Sequence, residues 1–404
     1  MQPNATYATY CVPPLESVAF GRGALAHIDT ILQSLAAKRV FVVTTRSVAN
    51  SQGMGRLQAV VGSRLCGVFT ETKAHVPESA VFAAVHEVKR TQADTLISFG
   101  GGTATDTTKD CNLLLASGAK AWADLAPLVT PRGRQSAVSA FETVRVNGPV
   151  LPHIAVPTTL SGGEFTFSAS MKHEESRSKQ LFIYYNLAPR FVILDPEVTA
   201  DTPPELWLSS GVKAIDHCVE TLYSTDRQPV SDAMAEKGLA ALVRYLPSSA
   251  GDPVDLDIRG HCQIGAWLAI FGIMNVRLGL SHAIGHQVGA RWGVPHGITS
   301  CLTMPAVIEF NSKEAALRMH CIARSMGLRA SPREDAHTVG SRVARTLRKI
   351  ICSMGLPTRL REVGADRQEF PAIAEHVLCD PLMVSNPRRV ERAEEILPLL
   401  EAMW

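Results

Sequence analysis

The feature that most constrains the fold is a change of periodicity halfway along the chain. Up to about residue 200, short β-branched runs recur: RVFVVTT (39–45), LCGVFTET (65–72), TLISFGGG (95–102), HIAVPTT (153–159) and RFVILDP (190–196). Helical periodicity fills the gaps between the first three, as in SAVFAAVHEVKRTQ (79–92). Buried runs of this length alternating with helices predict a parallel sheet with helices on its faces. Beyond residue 200 the strand runs stop. Long amphipathic stretches replace them at 203–224, 230–246, 261–277 and 336–355. The expected organisation is an α/β unit over 1–199 and an all-α unit over 200–404. The stretch 124–150 is polar, proline-bearing and weakly periodic, and reads as a long surface loop or lid.

Composition narrows the class. The chain has 404 residues, 46% of them apolar, enough for a large core and more than one domain. Its 40 basic and 38 acidic residues are interspersed, so a nucleic acid or an anionic membrane is not an expected partner. No apolar run reaches the ~18 residues of a membrane span, and the N-terminus lacks the basic and apolar regions of a signal peptide. Nine scattered cysteines, an odd number with no C-x-x-C, point to a reducing, cytoplasmic compartment.

Two loops sit where strands end. SFGGGTATDTTKD places Gly100, Gly101 and Gly102 between a strand and a helix, letting the backbone approach a bulky anion at a helix N-terminus. PTTLSGGEFT (157–166) ends another strand in small and hydroxyl residues. A glycine triplet also suits a plain tight turn. Two such loops on one sheet favour a dinucleotide site more than either does alone, because ligands of open α/β sheets bind at the C-terminal strand edge.

LSHAIGHQVGARWGVPHG (280–297) carries three histidines. His282 and His286 are four apart and share one helix face, and His296 follows ten residues after His286. This is a pattern that a first-row transition metal would use.

In order along the chain, FGRGAL (20–25), GGGTATDTTKD, PTTLSGGEFT, ILDPEVTADTPPEL and LSHAIGHQVGARWGVPHGITSCLTMPAVIEFN resemble the motifs of the iron-containing (group III) alcohol dehydrogenase family, which includes maleylacetate reductases. The resemblance implies a nucleotide-binding α/β domain followed by a helical catalytic domain, a fold shared with dehydroquinate synthase. It implies hydride transfer between NAD(P)H and a small carbonyl or alcohol substrate, and a homodimer. In metal-dependent members an aspartate and three histidines hold iron or zinc, in a G-x-D-A-x-x-H-x-x-E helix and the histidine motif. Here His217, His282 and His296 match the histidines, but Lys213 stands at the aspartate position.

A protonated lysine has no lone pair to offer. Beside a dication at about 4 Å it would cost about 4 kcal/mol at an effective dielectric of about 20. Asp216, about 100° round the helix from His217, should not share that face. The expectation is therefore that no metal binds; were one present, His217, His282 and His296 would hold it. Lys213 would stand in for the cation and stabilise the developing alkoxide. By the resemblance, His286 faces the nicotinamide and suits proton donation, as histidine does by type.

For the cofactor, the resemblance assigns the pyrophosphate to Gly100, Gly101 and Gly102. Thr103 and Asp106 would fix that loop, and Thr158, Thr159 and Ser161 would line the adenine or nicotinamide side. NAD-preferring members end the first of these strands in an aspartate. This chain has Thr45 and Arg46 there, which predicts that NADPH is accepted, with the preference between the two dinucleotides left open. Lys179 matches a lysine often present in the family, with its role left open. Arg277, Arg291 and Lys213 would face an anionic, carboxylate-bearing carbonyl substrate. The alternatives are a metal-dependent alcohol dehydrogenase completed by Asp216 or water, a non-catalytic nucleotide-binding scaffold, and a synthase of the dehydroquinate synthase group.

Overall fold

In a computed structural model, residues 10–131, 144–176, 178–251 and 253–404 are described. Six strands form one parallel sheet in the order β1-β8-β5-β4-β2-β3. They are β1 (Ser17–Phe20), β2 (Val40–Val43), β3 (Leu65–Phe69), β4 (Thr95–Gly100), β5 (His153–Pro157) and β8 (Phe191–Leu194). The five runs read from sequence all lie in it. Val40–Val43, Thr95–Gly100, His153–Pro157 and Phe191–Leu194 are buried throughout, as strands covered on both faces must be.

Helices of two turns or more are α1 (His27–Ser34), α2 (Gln52–Val61), α3 (Glu78–Arg90) and α4 (Gly102–Ser117), followed by α5 (Pro204–Tyr223), α6 (Pro229–Tyr245), α7 (Leu256–Phe271) and α8 (Leu280–Trp292). The last four are α9 (His296–Asn311), α10 (Ala316–Ser325), α11 (Ala336–Ser353) and α12 (Phe370–Leu378). From Pro204 onward the described residues hold helices and no strand. One large apolar cluster runs through this half, with α5 near its centre: Trp207, Val212, Cys218, Val219 and Leu222 are all fully enclosed. Among the described residues no single helix is long and apolar enough to cross a membrane.

Two elements depart from the sequence reading. β1 was not anticipated; it is short and half exposed, and forms the edge beside β8. The antiparallel hairpin of β6 (Ser168–His173) and β7 (Ser178–Ile183) was also missed, because its polar, lysine-bearing strands lack an apolar run. Part of the expected 124–150 loop lies outside the described residues. Its flanks are ordered against the hairpin: the Thr130 amide donates to Leu181 O at 2.8 Å, and the Tyr185 amide to Val144 O at 2.8 Å.

Candidate active site

The sheet register brings the two strand-end loops together. β4 and β5 are neighbours with Gly100 opposite Pro157, so the glycine loop and the 157–166 loop leave the same edge side by side. The Thr158 amide donates to Gly100 O at 3.0 Å. Gly101 caps α4, and a β-carbon there would lie 3.1 Å from both Thr159 Oγ1 and Cγ2. One at Gly102 would meet Ser161 Oγ at 3.4 Å. The Thr159 and Ser161 hydroxyls are buried without a hydrogen-bond partner. A 16-residue helix pointing its free amides at a backbone-lined cradle, with two orphaned hydroxyls beside it, fits a dinucleotide pyrophosphate.

Asp106 stands one turn into α4. It accepts from Ser170 Oγ at 3.0 Å and lies 3.8 Å from Lys109 Nζ. Lys109, not singled out from sequence, is fully enclosed and donates to Gly163 O, Thr166 Oγ1 and Ser168 O at 2.6, 3.0 and 2.8 Å. It bolts the glycine-loop helix to the second loop and to the hairpin. Burial pulls its ammonium below the ordinary lysine value, against the opposing charge of Asp106. Burial pushes the neighbouring Glu164 up to about 7.

At the end of β2, Thr45 caps a short helix by accepting from the Val48 amide at 3.3 Å. Arg46 is exposed but not free. Its guanidinium holds Glu71 in a two-point pair at 2.8 and 2.5 Å. Thr103 is half-buried at the start of α4.

Three helices of the second half supply the opposite wall. α5 presents Lys213 and His217 one turn apart, α8 presents His282 and His286, and α9 begins at His296. The rings gather as the motif spacing predicts. His217 and His282 stack with centroids 5.0 Å apart, His282 and His296 lie at 6.4 Å, and His286 and His296 stack at 6.2 Å. Lys213, His217 and His282 are 4%, 6% and 3% exposed. Their Nζ, Nδ1 and Nε2 atoms respectively have no hydrogen-bond partner. Three buried polar atoms left unpaired in one place cost stability unless a ligand satisfies them.

The network behind His282 explains its orientation. Glu220 Oε2 lies 2.7 Å from His282 Nδ1. Glu220 also accepts from the Gly279 and Ser281 amides, each at 2.8 Å, and so ties the N-terminus of α8 to α5. With Nδ1 donating to the carboxylate, Nε2 is left as an acceptor facing the cluster. Asp216 Oδ2 accepts from Ser281 Oγ at 2.9 Å and from Ser300 Oγ at 2.6 Å, and lies 3.6 Å from His282 Nδ1. It therefore meets His282 on the side away from Nε2.

Burial pulls Lys213 down to about 8, opposed by Asp216 and Glu220, and pushes Asp216 up to about 7. Burial holds His217 and His282 well below the usual imidazole value, while His296 is held down first by the Lys213 charge.

Asp216, Glu220 and His282 place one ligand-type atom each within 4.8 Å of the others. These atoms are engaged in the hydrogen bonds just described. At the imidazole nitrogens that face the cluster, the fourth side chain brings an ammonium where a dication requires an anionic or neutral donor. The residues present do not fit a resident divalent metal.

His286 and His296 are the exposed members of the set, and His286 Nδ1 lies 3.0 Å from Asp380 Oδ2. Asp380 is largely enclosed and also accepts from the Leu382 amide at 3.0 Å. No local motif marks Asp380, which lies 94 positions from its histidine. The two arginines expected to face an anionic substrate are turned elsewhere. Arg277 pairs with Asp226, and Arg291 with Glu369 at 2.6 Å. Each found a carboxylate on a neighbouring element, which periodicity cannot reveal.

Comparison with known proteins adds relatives along the whole chain. The sequence model described as iron-containing alcohol dehydrogenase matches residues 15–196, and that of the C-terminal part of the Fe-containing alcohol dehydrogenase family matches 207–404. A maleylacetate reductase of Burkholderia cepacia is 30% identical over 384 residues, 95% of this chain and 94% of that one. An NAD-dependent methanol dehydrogenase of Bacillus methanolicus is 27% identical over 97% of this chain and 98% of its own. Among solved structures, an alcohol dehydrogenase from Oenococcus oeni superposes with a TM-score of 0.89 at 23% identity, over 98% of this chain and 100% of that one. At that identity the superposition speaks for the fold.

Proposed function

We propose that this chain, which belongs to the iron-containing alcohol dehydrogenase family, is a metal-independent, NAD(P)H-dependent carbonyl reductase. The observation that carries this reading is the Lys213 ammonium, enclosed and unpaired among His217, His282 and His296. The bound nicotinamide supplies the hydride that turns a carbonyl into an alcohol. Gly100, Gly101 and Gly102 take the pyrophosphate, with Thr103 and Asp106 fixing their loop and Thr158, Thr159 and Ser161 beside it. Bound there, the dinucleotide would supply hydride to a carbonyl held among the side chains of the histidine cluster. Lys213 donates a hydrogen bond to the carbonyl oxygen and stabilises the negative charge that grows there. His217, His282 and His296 shape the pocket around that oxygen. His286 delivers the proton from Nε2, and Asp380 holds its ring by Nδ1. The sum is carbonyl, NAD(P)H and one proton giving alcohol and NAD(P)+.

Either dinucleotide fits the end of β2, where no carboxylate follows the strand directly. Arg46 is available to a 2′-phosphate only when it leaves Glu71. A homodimer is supported by the edge strand β1, whose Phe20 is 61% exposed beside Trp267 at 6.2 Å.

The deciding experiment is elemental analysis of the purified protein, with NADPH oxidation measured before and after chelation. Metal-free, chelator-insensitive turnover is expected. Near-stoichiometric iron or zinc, with turnover lost on chelation, would move the chain to the metal-dependent alcohol dehydrogenases.

A further inference from the structure

The first turn of α8 is held by two side chains from other parts of the chain. Glu220 takes the amides of Gly279 and Ser281, and the amide between them, that of Leu280, donates to Asn386 Oδ1 at 3.3 Å. The leading amides of a helix have no partner within it, and here a carboxylate and a carboxamide supply the acceptors. The fit is close. A β-carbon at Gly279 would stand 3.0 Å from Asn386 Oδ1 and 3.3 Å from Glu220 Oε1.

Asn386 is 5% exposed and forms a reciprocal amide pair with Asn311. Asn311 Nδ2 donates to Asn386 Oδ1 at 2.8 Å, and Asn386 Nδ2 donates to Asn311 Oδ1 at 2.9 Å and to Arg388 O at 2.7 Å. Asn311 is fully enclosed and is the last residue of α9, the helix that begins at His296. One side chain therefore joins the start of the helix carrying His282 and His286 to the end of the helix that begins at His296.

The same segment carries Asp380. A short turn, Pro381–Ser385, separates the two residues. Ser385 is buried, and it is tied on both sides: its hydroxyl donates to Leu278 O at 2.5 Å, and its carbonyl accepts from the Thr225 amide, just past α5, at 3.1 Å. So residues 380–386 grip α8 at two places, Asp380 at the His286 ring and Asn386 at the Leu280 amide. A helix gripped at one place can still turn about its axis or slide. Gripped at two, it keeps both of its histidines in register with Lys213.

Resting on the reductase reading above, we propose that Asn386 is a positioning residue for that reaction. Paired with Asn311, it fixes α8 and the segment that brings Asp380 to His286. Displacing reacting groups by about 1 Å costs up to about 100-fold in rate, even when the change is made far from the chemistry.

The test uses the full-length protein and NADPH-linked reduction of straight-chain aldehydes of three to six carbons. Wild type is compared with Asn386→Ala, Asn311→Ala, Asp380→Asn and the Asp380→Asn/Asn386→Ala double variant. Amide hydrogen exchange over residues 280–292 is followed by mass spectrometry, and NADPH affinity by fluorescence titration. Asn386→Ala is expected to lower kcat by about tenfold to a hundredfold with NADPH affinity unchanged. Asn311→Ala should act in the same direction and less strongly. Asp380→Asn should cost about tenfold or more in wild type but less than about threefold on top of Asn386→Ala, because both act through one segment. Exchange over 280–292 should quicken in both asparagine variants, while that over 204–223 stays as in wild type. A kcat within about threefold of wild type in both asparagine variants, or a full independent cost of Asp380→Asn in the double variant, overturns the proposal. Unchanged exchange over 280–292 overturns it too, as does NADPH binding that weakens in step with kcat, which would make Asn386 a residue of general stability. If wild type reduces none of the aldehydes, the reductase reading falls, and the exchange data still decide whether Asn386 fixes α8. Melting temperatures control for folding, and Asn311→Ala carries the comparison if Asn386→Ala does not fold.

Discussion

Replacing Lys213 by methionine removes the ammonium while keeping an unbranched apolar stem, and the proposed role predicts opposite effects on stability and activity. Burial takes the ammonium from 10.5 down to about 8, with Asp216 and Glu220 opposing the fall. At about 1.4 kcal/mol per pH unit, that difference is about 3 kcal/mol. The folded value lies below the unfolded one, so the charged lysine destabilises the fold. That penalty is fully present below pH 8 and fades as pH rises toward 10.5. Asp216 already sits near about 7 and loses a nearby cation in the variant, so the net gain at pH 7 lies below that ceiling. A gain of about 1–3 kcal/mol is expected, or about 2–4 °C in Tm per kcal/mol for a unit the size of the helical half. The advantage over wild type should shrink between pH 8 and 10.5. Activity should move the other way: loss of a donor to a developing oxyanion lowers kcat by about 10²–10³. Thermal melts at pH 7 and pH 10, with NADPH-linked reduction assays on the same preparations, measure both. A variant that is less stable than wild type, or one whose kcat stays within about threefold, refutes the reasoning.

Asp380→Asn should leave NADPH affinity unchanged and lower kcat by about tenfold or more, because the His286 ring loses its carboxylate anchor; steady-state kinetics beside a dinucleotide titration test this. Glu71→Ala should release Arg46 and raise the NADPH-to-NADH ratio of kcat/KM several-fold, and an unchanged ratio would mean that Arg46 does not reach the 2′-phosphate. Gly101→Ala should weaken dinucleotide binding at least tenfold in a fluorescence titration, since the added methyl sits 3.1 Å from Thr159 in the cradle.

The sheet and the helical half were legible because burial writes itself into periodicity. Strands covered on both faces, such as Val40–Val43, can only be continuous apolar runs. α5 and α8 likewise announced themselves through residues spaced for one face. Elements that answer to chemistry rather than to the core left no such trace. The β6–β7 hairpin puts serines and lysines on one face, and β1 is a four-residue edge. In the site, residues within one helix turn or one motif were found: Lys213 with His217, and His282 with His286. Partners supplied by tertiary packing were not. Asp380 reaches His286 from far along the chain, and Glu71 reaches Arg46 from the segment just past β3. The arginines at 277 and 291 were misplaced for the same reason, since their neutralising carboxylates come from other segments.

The exchange of an aspartate position for Lys213, with a carboxylate appearing at Asp216 on the far side of His282, has a consequence beyond the chemistry of one turnover. A cation held by coordination exchanges with its surroundings: chelators remove it, oxidants alter it, and scarcity leaves the protein idle. A cation joined to the backbone by covalent bonds is delivered with every polypeptide made. On the proposed reading, a cell starved of iron or under oxidative attack would keep this reductase fully equipped. Its rate would then follow only the supply of substrate and the balance of reduced to oxidised nucleotide.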